Sequence, residues 1–108
     1  MTITSLKENN ISIFNELLHE GKFNNLNDYN RYLNWICGEF TLYQQYNNID
    51  ELIIYFPNGW FSINKIESNA NDIKFRIEVK SKSSKKGVKI LNKINSILTH
   101  VKRFDVCQ

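Results

Sequence analysis

The sequence predicts an α+β fold with the element order α-α-β-β-β-α, in which a three-stranded antiparallel meander packs against helices. Apolar residues recur at three- and four-residue spacing toward both ends of the chain and at every second position in between, which are the periods of helices and strands. One Pro and four Gly in 108 residues leave room for long regular elements. With 42% hydrophobic residues the chain has enough apolar material for a core, and we expect residues 1–108 to form a single domain.

The first predicted helix ends at Gly21, because glycine tolerates the left-handed conformation that often follows a last helical turn. Ser5 and Glu8 have the spacing of a capping box near its start. The residues that share one face of this helix are Leu6, Asn10, Ile13, Phe14, Leu17 and Leu18.

A second helix follows, with Asn25 or Asn27 as its N-cap and with an end at about Tyr46. The positions that continue its helical period are Tyr29, Leu33, Ile36, Cys37, Phe40 and Tyr43.

The strand-like part of the chain begins at Glu51. Residues 51–56 and 60–66 flank the turn residues Pro57-Asn58-Gly59 and therefore predict a β-hairpin. Residues 73–80 show the clearest alternation of apolar and polar side chains. One face is apolar, and the other is solvent-exposed, mostly basic, and carries Lys74, Arg76 and Lys80.

The last helix, after a polar loop at residues 81–87, has the best apolar pattern in the chain. Its core-facing residues are Val88, Ile90, Leu91, Ile94, Ile97, Leu98 and Val101. Opposite them lies a stripe of four lysines, Lys85, Lys86, Lys89 and Lys93. Such a stripe is either the solvated face of an ordinary amphipathic helix or a row that binds phosphates, which Lys74, Arg76 and Lys80 would extend.

The segment Ser84-Lys85-Lys86-Gly87-Val88-Lys89 resembles the S-K-K-x-A-K start of the last helix in double-stranded-RNA-binding domains, and residues 27–103 resemble that family's α-β-β-β-α order. The resemblance implies that Lys85, Lys86 and Lys89 hold phosphates across the RNA major groove. The turn at residues 57–59 is shorter than the family's minor-groove loop, and its G-P-x-H signature is missing. Ile90 and Leu91 also replace the small residues that follow the motif.

Charge is distributed unevenly along the chain. Residues 74–108 contain ten of the fourteen basic residues but only two of the eleven acidic ones, so they carry a net charge of +8, whereas residues 1–73 carry −5. This asymmetry favours a polyanionic or acidic partner at one end of the molecule.

Aromatic residues are concentrated between the second helix and the hairpin. Because successive side chains of a strand point to opposite faces, Tyr55 and Phe56 lie on different faces, and so do Trp60 and Phe61. At least two large rings should therefore point away from the face that the helices cover. Exposed Tyr and Trp side chains are typical anchors of protein interfaces, and we expect Tyr55 and Trp60 to serve in this way.

Sequence motifs for catalysis are lacking. No phosphate-cradling glycine loop, zinc spacing or serine triad is present, and we expect no catalytic residues, no cofactor and no metal site. An acid–base pair of His19 and His100 in an RNA-cleaving protein is a minor alternative. Cys37 and Cys107 favour reduced thiols in the cytoplasm over a disulfide, and neither a signal peptide nor a membrane span is predicted.

These observations predict a small non-enzymatic binding protein in the cytoplasm, acting on another protein as an inhibitor, immunity or regulatory factor. The expected partner-binding residues are Tyr55, Trp60, Lys74, Arg76, Lys85, Lys86, Lys89 and Lys93. The alternative is a protein that binds the backbone of RNA or DNA through the last helix. The sequence leaves the oligomeric state open.

Overall fold

The computed structural model describes residues 15–69 and 72–107, and the side chains up to residue 103. Its elements are β1 (Asn15–Phe23), α1 (Leu26–Glu39), β2 (Gln44–Asn47), β3 (Glu51–Phe56), β4 (Gly59–Ser68), β5 (Ile73–Ser81) and α2 (Ser84–Cys107). The α+β class is confirmed. The predicted order and the three-stranded sheet do not match, because the described residues form a five-stranded sheet and strand β1 directly precedes α1.

The sheet is antiparallel throughout, with the strand order β1-β5-β4-β3-β2. The three strands of the predicted meander are β3, β4 and β5, and they form the middle of the sheet. Asn58 adopts a positive φ of 72° in the tight turn between β3 and β4, a conformation that Asn tolerates better than most residues. A bulge between Lys65 and Glu67 shifts the register of β4 against β5.

Residues 15–21, predicted to end the first helix, form most of β1 instead. Leu17 packs against the core, whereas the next residue, Leu18, lies on the other side of the sheet and is exposed. Gly21 pairs with Phe75, and a Cβ atom at Gly21 would lie 2.5 Å from Cζ of that ring. The remaining residues of the predicted helix, including its capping box, lie outside the described residues.

Helix α1 has the predicted N-cap but ends earlier than predicted. The side chain of Asn25 accepts a hydrogen bond of 2.8 Å from the backbone N–H of Asp28. The helix ends at Glu39, and the side-chain amide of Gln45 donates to the carbonyls of Cys37 and Phe40 at 3.0 and 2.9 Å. Phe40 and Tyr43 still pack against the core from the connection, which is why the apolar spacing continues past the helix.

Both helices pack on one side of the sheet. The core takes alternate residues from the strands, such as Phe75 and Ile77, together with Tyr32 and Ile36 of α1 and Ile94 of α2, all without exposed surface. The other side, which we call the open sheet face, is not covered by any element within the described residues. The next residues along β5, Lys74, Arg76, Glu78 and Lys80, therefore lie on the open sheet face.

Candidate functional site

The eight residues predicted to bind a partner are divided between two surfaces on opposite sides of the molecule. Tyr55, Trp60, Lys74 and Arg76 lie on the open sheet face. Lys85, Lys86, Lys89 and Lys93 lie on α2, on the helical side of the sheet. The sequence suggests that the basic residues of β5 extend the lysine stripe. They do not, because the sheet separates them from it.

An aromatic patch forms one half of the open sheet face, on strands β2, β3 and β4. Trp60 is the cross-strand partner of Tyr55, and Tyr46 on β2 is the partner of Ile53 on β3. Tyr55 is 44% exposed and Tyr46 is 54% exposed. These four residues, Tyr46, Ile53, Tyr55 and Trp60, are called the aromatic patch below.

The sequence predicts outward rings in the hairpin but not at Tyr46, because the helical period continues to about that residue. Its exposure follows from the pairing of β2 with β3, which aligns Gln44 with Tyr55 and Tyr46 with Ile53. The only local signal was the polar composition of residues 44–48, which is unusual for a buried helical turn.

The other half of the open sheet face carries charges that neutralise one another. On β5, Lys74 lies 3.1 Å from the Glu67 carboxylate, and Lys80 lies 3.9 Å from that of Glu16. The guanidinium of Arg76 is 3.1 Å from the carboxylate of Glu20, also with a hydrogen bond from its Nε. Such exposed pairs contribute little to stability, but they leave this half without an excess of positive charge.

Lys80 connects the two halves. Its ammonium group lies 5.2 Å from the centre of the Trp60 ring, within the range of a cation–π contact. The contact holds one side of the indole against β5, while the ring stays partly open to solvent.

The lysine cluster on α2, which we define as Lys85, Lys86 and Lys89, differs in its surroundings. Among the described residues, no carboxylate lies within 4 Å of any of its three ammonium groups. The helix begins at Ser84, and the hydroxyl of Ser83 accepts a hydrogen bond of 3.2 Å from the N–H of Lys86. Lys93 is not counted in the cluster, because its charge is compensated by Glu39 of α1 at 3.0 Å.

Helix α2 begins at Ser84, within the residues predicted as a loop, so residues 84–89 lie at a helix start as the resemblance to double-stranded-RNA-binding domains implies. The order of elements differs from that family's. Four strands, β2 to β5, separate the two helices, where that family's order has three. A further strand, β1, pairs with β5 and has no counterpart in that family's order.

The two histidines lie on different elements, and Cys37 is half-buried. His19 is half-buried on β1, whereas His100 lies on α2 with its ring centre 5.4 Å from that of Trp35. Burial raises the pKa of the Cys37 thiol, which favours the unreactive protonated form. The side chain of Cys107 lies outside the described residues, so its pairing with Cys37 stays untested.

In the described part of the chain, no group of three or more His, Cys, Asp or Glu residues is placed to hold a metal ion. Neither α1 nor α2, as far as described, has a stretch long and apolar enough to cross a bilayer.

Comparison with known proteins adds no family to this description. No protein-family model matches the chain, and a search of curated proteins finds no similar sequence.

Proposed function

We propose that this chain is a non-enzymatic protein that binds another protein through the aromatic patch and acts as an inhibitor, immunity or regulatory factor. The observation that supports the proposal is the direct pairing of Tyr55 with Trp60 on the sheet face that no described element covers. Tyr and Trp combine a large apolar surface with a polar group and are enriched among the residues that dominate protein interfaces.

The charges around the patch indicate how the partner is recognised. Because Lys74, Arg76 and Lys80 already have carboxylate neighbours, the open sheet face offers little net charge to a partner. Binding through the patch would therefore depend mainly on apolar contact and shape, and only weakly on long-range electrostatic attraction.

An affinity capture from host lysate tests the proposal. The immobilised chain is compared with a Tyr55→Ser/Trp60→Ser variant and with a Lys85→Gln/Lys86→Gln/Lys89→Gln variant, each with and without nuclease treatment of the lysate. We expect a protein that the unmodified chain and the lysine variant retain and the aromatic variant loses, with nuclease having no effect. Equal retention by all three chains would contradict the proposal.

Binding to a nucleic-acid backbone is a second candidate function, supported by the three lysines of the cluster that have no carboxylate nearby among the described residues. Lys85, Lys86 and Lys89 share one side of α2 near its N-terminus, where the helix dipole also favours an anion. The test is a titration of duplex RNA and duplex DNA at low salt. Binding that the triple lysine variant loses would support this candidate, and an absence of binding at low salt would end it.

A further inference from the structure

A groove runs between the end of α1 and the first half of α2, on the side of the molecule away from the aromatic patch. It has a volume of about 360 Å³, which lies within the roughly 300–1,000 Å³ of typical small-molecule sites. Phe40, Tyr43 and Ile90 provide apolar surface in it, while Lys86 and Lys89 border it. Leu42, also in its lining, is 96% exposed.

The apolar part of the groove is firmly held by the core. Phe40 is almost completely buried and packs edge-on against Phe61 of β4, with ring centres 5.1 Å apart. The ring of Tyr43 is 6.1 Å from that of Phe40. A ligand would therefore meet side chains that are already ordered, which reduces the ordering cost of binding.

The positive charges of the groove are not equivalent. The ammonium group of Lys93 is compensated by Glu39 at 3.0 Å and lies 5.7 Å from the centre of the Phe40 ring. Lys86 and Lys89 have no carboxylate within 4 Å among the described residues. Because they are three residues apart on one helix, their like charges repel each other, and an anion between them would relieve that repulsion.

A second depression of about 250 Å³ shares Lys86 and Lys89 with the groove and adds Ser83 and Lys85 to them. The two lysines thus lie between the groove, whose lining also includes Glu39 and Lys93, and this second depression.

We infer that this groove binds a free amphiphilic carboxylate, with its apolar chain against Phe40, Tyr43 and Ile90 and its head group on Lys86 and Lys89. The two uncompensated ammonium groups select an anion, and the apolar lining selects a ligand with a chain over a bare anion. The small volume favours a free small molecule as the occupant. The inference is independent of the proposed protein interface, because the aromatic patch lies across the sheet.

The test is a titration of the full chain with octanoate, followed by two-dimensional amide NMR, with 1-octanol, acetate and inorganic phosphate as matched probes. Octanoate should give saturable shifts of the amide signals of residues 39–43 and 86–93. The alcohol, which lacks the charge, and the two anions that lack the chain should each bind at least about tenfold more weakly, the factor expected when one charge-assisted hydrogen bond or about two buried methylene groups are lost.

Variants separate the groove from a general effect of charge. Lys86→Gln/Lys89→Gln should lower octanoate affinity by about tenfold, and Leu42→Asp should lower it by bringing a carboxylate to the groove. Lys102→Gln removes a charge from the same helix, near the ring of Phe23 and away from the groove, and should leave affinity unchanged. The inference is overturned if octanoate does not saturate, if octanol or phosphate binds as tightly, or if Lys102→Gln has the effect of the double variant.

Discussion

Tyr55 and Trp60 are paired directly across the β3–β4 hairpin, and both side chains lie on the sheet face that no described helix covers. The residues beside them on the same two strands, Phe56 and Phe61, point into the core and are at most 5% exposed. Alternation along the strands thus assigns two aromatic rings to the core and two to the surface. The surface pair adds to the fold only a cross-strand contact and the contact of Trp60 with Lys80, and its remaining surface is the basis for assigning it to a partner.

Gln45 should be a significant source of stability, because its amide satisfies two carbonyls at the end of α1. Gln45→Ala should lower the free energy of unfolding by about 1–2 kcal/mol, as expected for two hydrogen bonds of typical net strength. Its neighbour Gln44 faces the open side of the sheet, and Gln44→Ala should change stability by less than about 0.5 kcal/mol. Urea denaturation of both variants checks this, and equal losses would contradict the role of Gln45.

Gly59 should not tolerate a side chain. A Cβ atom there would overlap the carbonyl oxygen of Lys80 and lie 2.9 Å from Cα of Ser81, both backbone atoms of the adjacent strand. Gly59→Ala should therefore destabilise the fold by about 1–3 kcal/mol.

Gly38 in α1 is the matched control, because a Cβ atom at that position meets nothing within 4 Å. Gly38→Ala should raise stability by up to about 1 kcal/mol through helix propensity. Thermal and urea unfolding measure both variants. Similar changes in stability for the two substitutions would show that the close backbone approach at Gly59 does not determine its intolerance of a side chain.

Alkaline pH should unfold the protein through its buried tyrosines. Burial raises the pKa of Tyr29 to about 12, with the Asp50 carboxylate acting in the same direction, and burial also raises the pKa of Tyr32. A raised pKa in the folded state means that folding favours the protonated phenol. The resulting stabilisation is complete below pH 10, the ordinary value, and is lost as the pH rises toward and through about 12.

Urea titrations at a series of pH values test this prediction. The unfolding free energy should fall above about pH 10, and Tyr29→Phe/Tyr32→Phe should make that fall shallower. The hydroxyl of Tyr32 has no hydrogen-bond partner among the described residues, so its removal should not itself be costly. An unchanged pH dependence in the double variant would contradict the assignment.

The two candidate surfaces should respond differently to salt. Raising the ionic strength from about 0.1 to 1 M shortens the Debye length from roughly 10 to 3 Å and removes long-range attraction. A complex made through the aromatic patch should keep its affinity within about threefold, because the charges beside the patch are already paired. Binding of duplex nucleic acid by the lysine cluster should instead fall, with a log-log slope near −0.9 for each phosphate contacted.

A steep salt dependence of the captured protein complex would show that the partner is recognised by charge. The Lys85→Gln/Lys86→Gln/Lys89→Gln variant is the control for this measurement. It should leave the salt dependence of the protein complex unchanged and should abolish that of nucleic-acid binding.

Local patterns in the sequence were sufficient to predict the elements whose pairing is local. The β3–β4 hairpin has its turn residues between two apolar runs, and β5 alternates without a break. The start of α1 was predicted to within two residues, at Asn25 or Asn27, since a cap acts on a residue only three positions away.

The two edge strands could not be predicted in this way. On its core side β1 carries Asn15, Leu17, His19, Gly21 and Phe23, so its two-residue period is hidden. It is held by β5, which lies fifty or more positions later along the chain. Strand β2 has only four residues, and Phe40 and Tyr43 before it follow helical spacing although they lie outside the helix. Apolar spacing indicated helices in both places, and non-local pairing decided otherwise.

Of the candidate surfaces, the aromatic patch could be predicted in part from local patterns, whereas the groove depends on non-local contacts. Alternation was enough to predict that one ring of each neighbouring pair, Tyr55 or Phe56 and Trp60 or Phe61, points away from the core. The groove beside α2 was not predictable, because it needs Phe40 and Tyr43 from one part of the chain and Ile90 from another.

The most direct test of the account compares the affinity of the captured protein partner for two tryptophan variants. Trp60 belongs to the aromatic patch, whereas Trp35 is an exposed tryptophan, at 40%, on the helical side of the sheet. Calorimetric titration should show that Trp60→Ala weakens binding by at least about 2 kcal/mol, the loss typical of an interface hot spot, while Trp35→Ala leaves it nearly unchanged. Full affinity of the Trp60→Ala chain, with its fold intact by circular dichroism, would contradict the claim that this protein acts through the open face of its sheet.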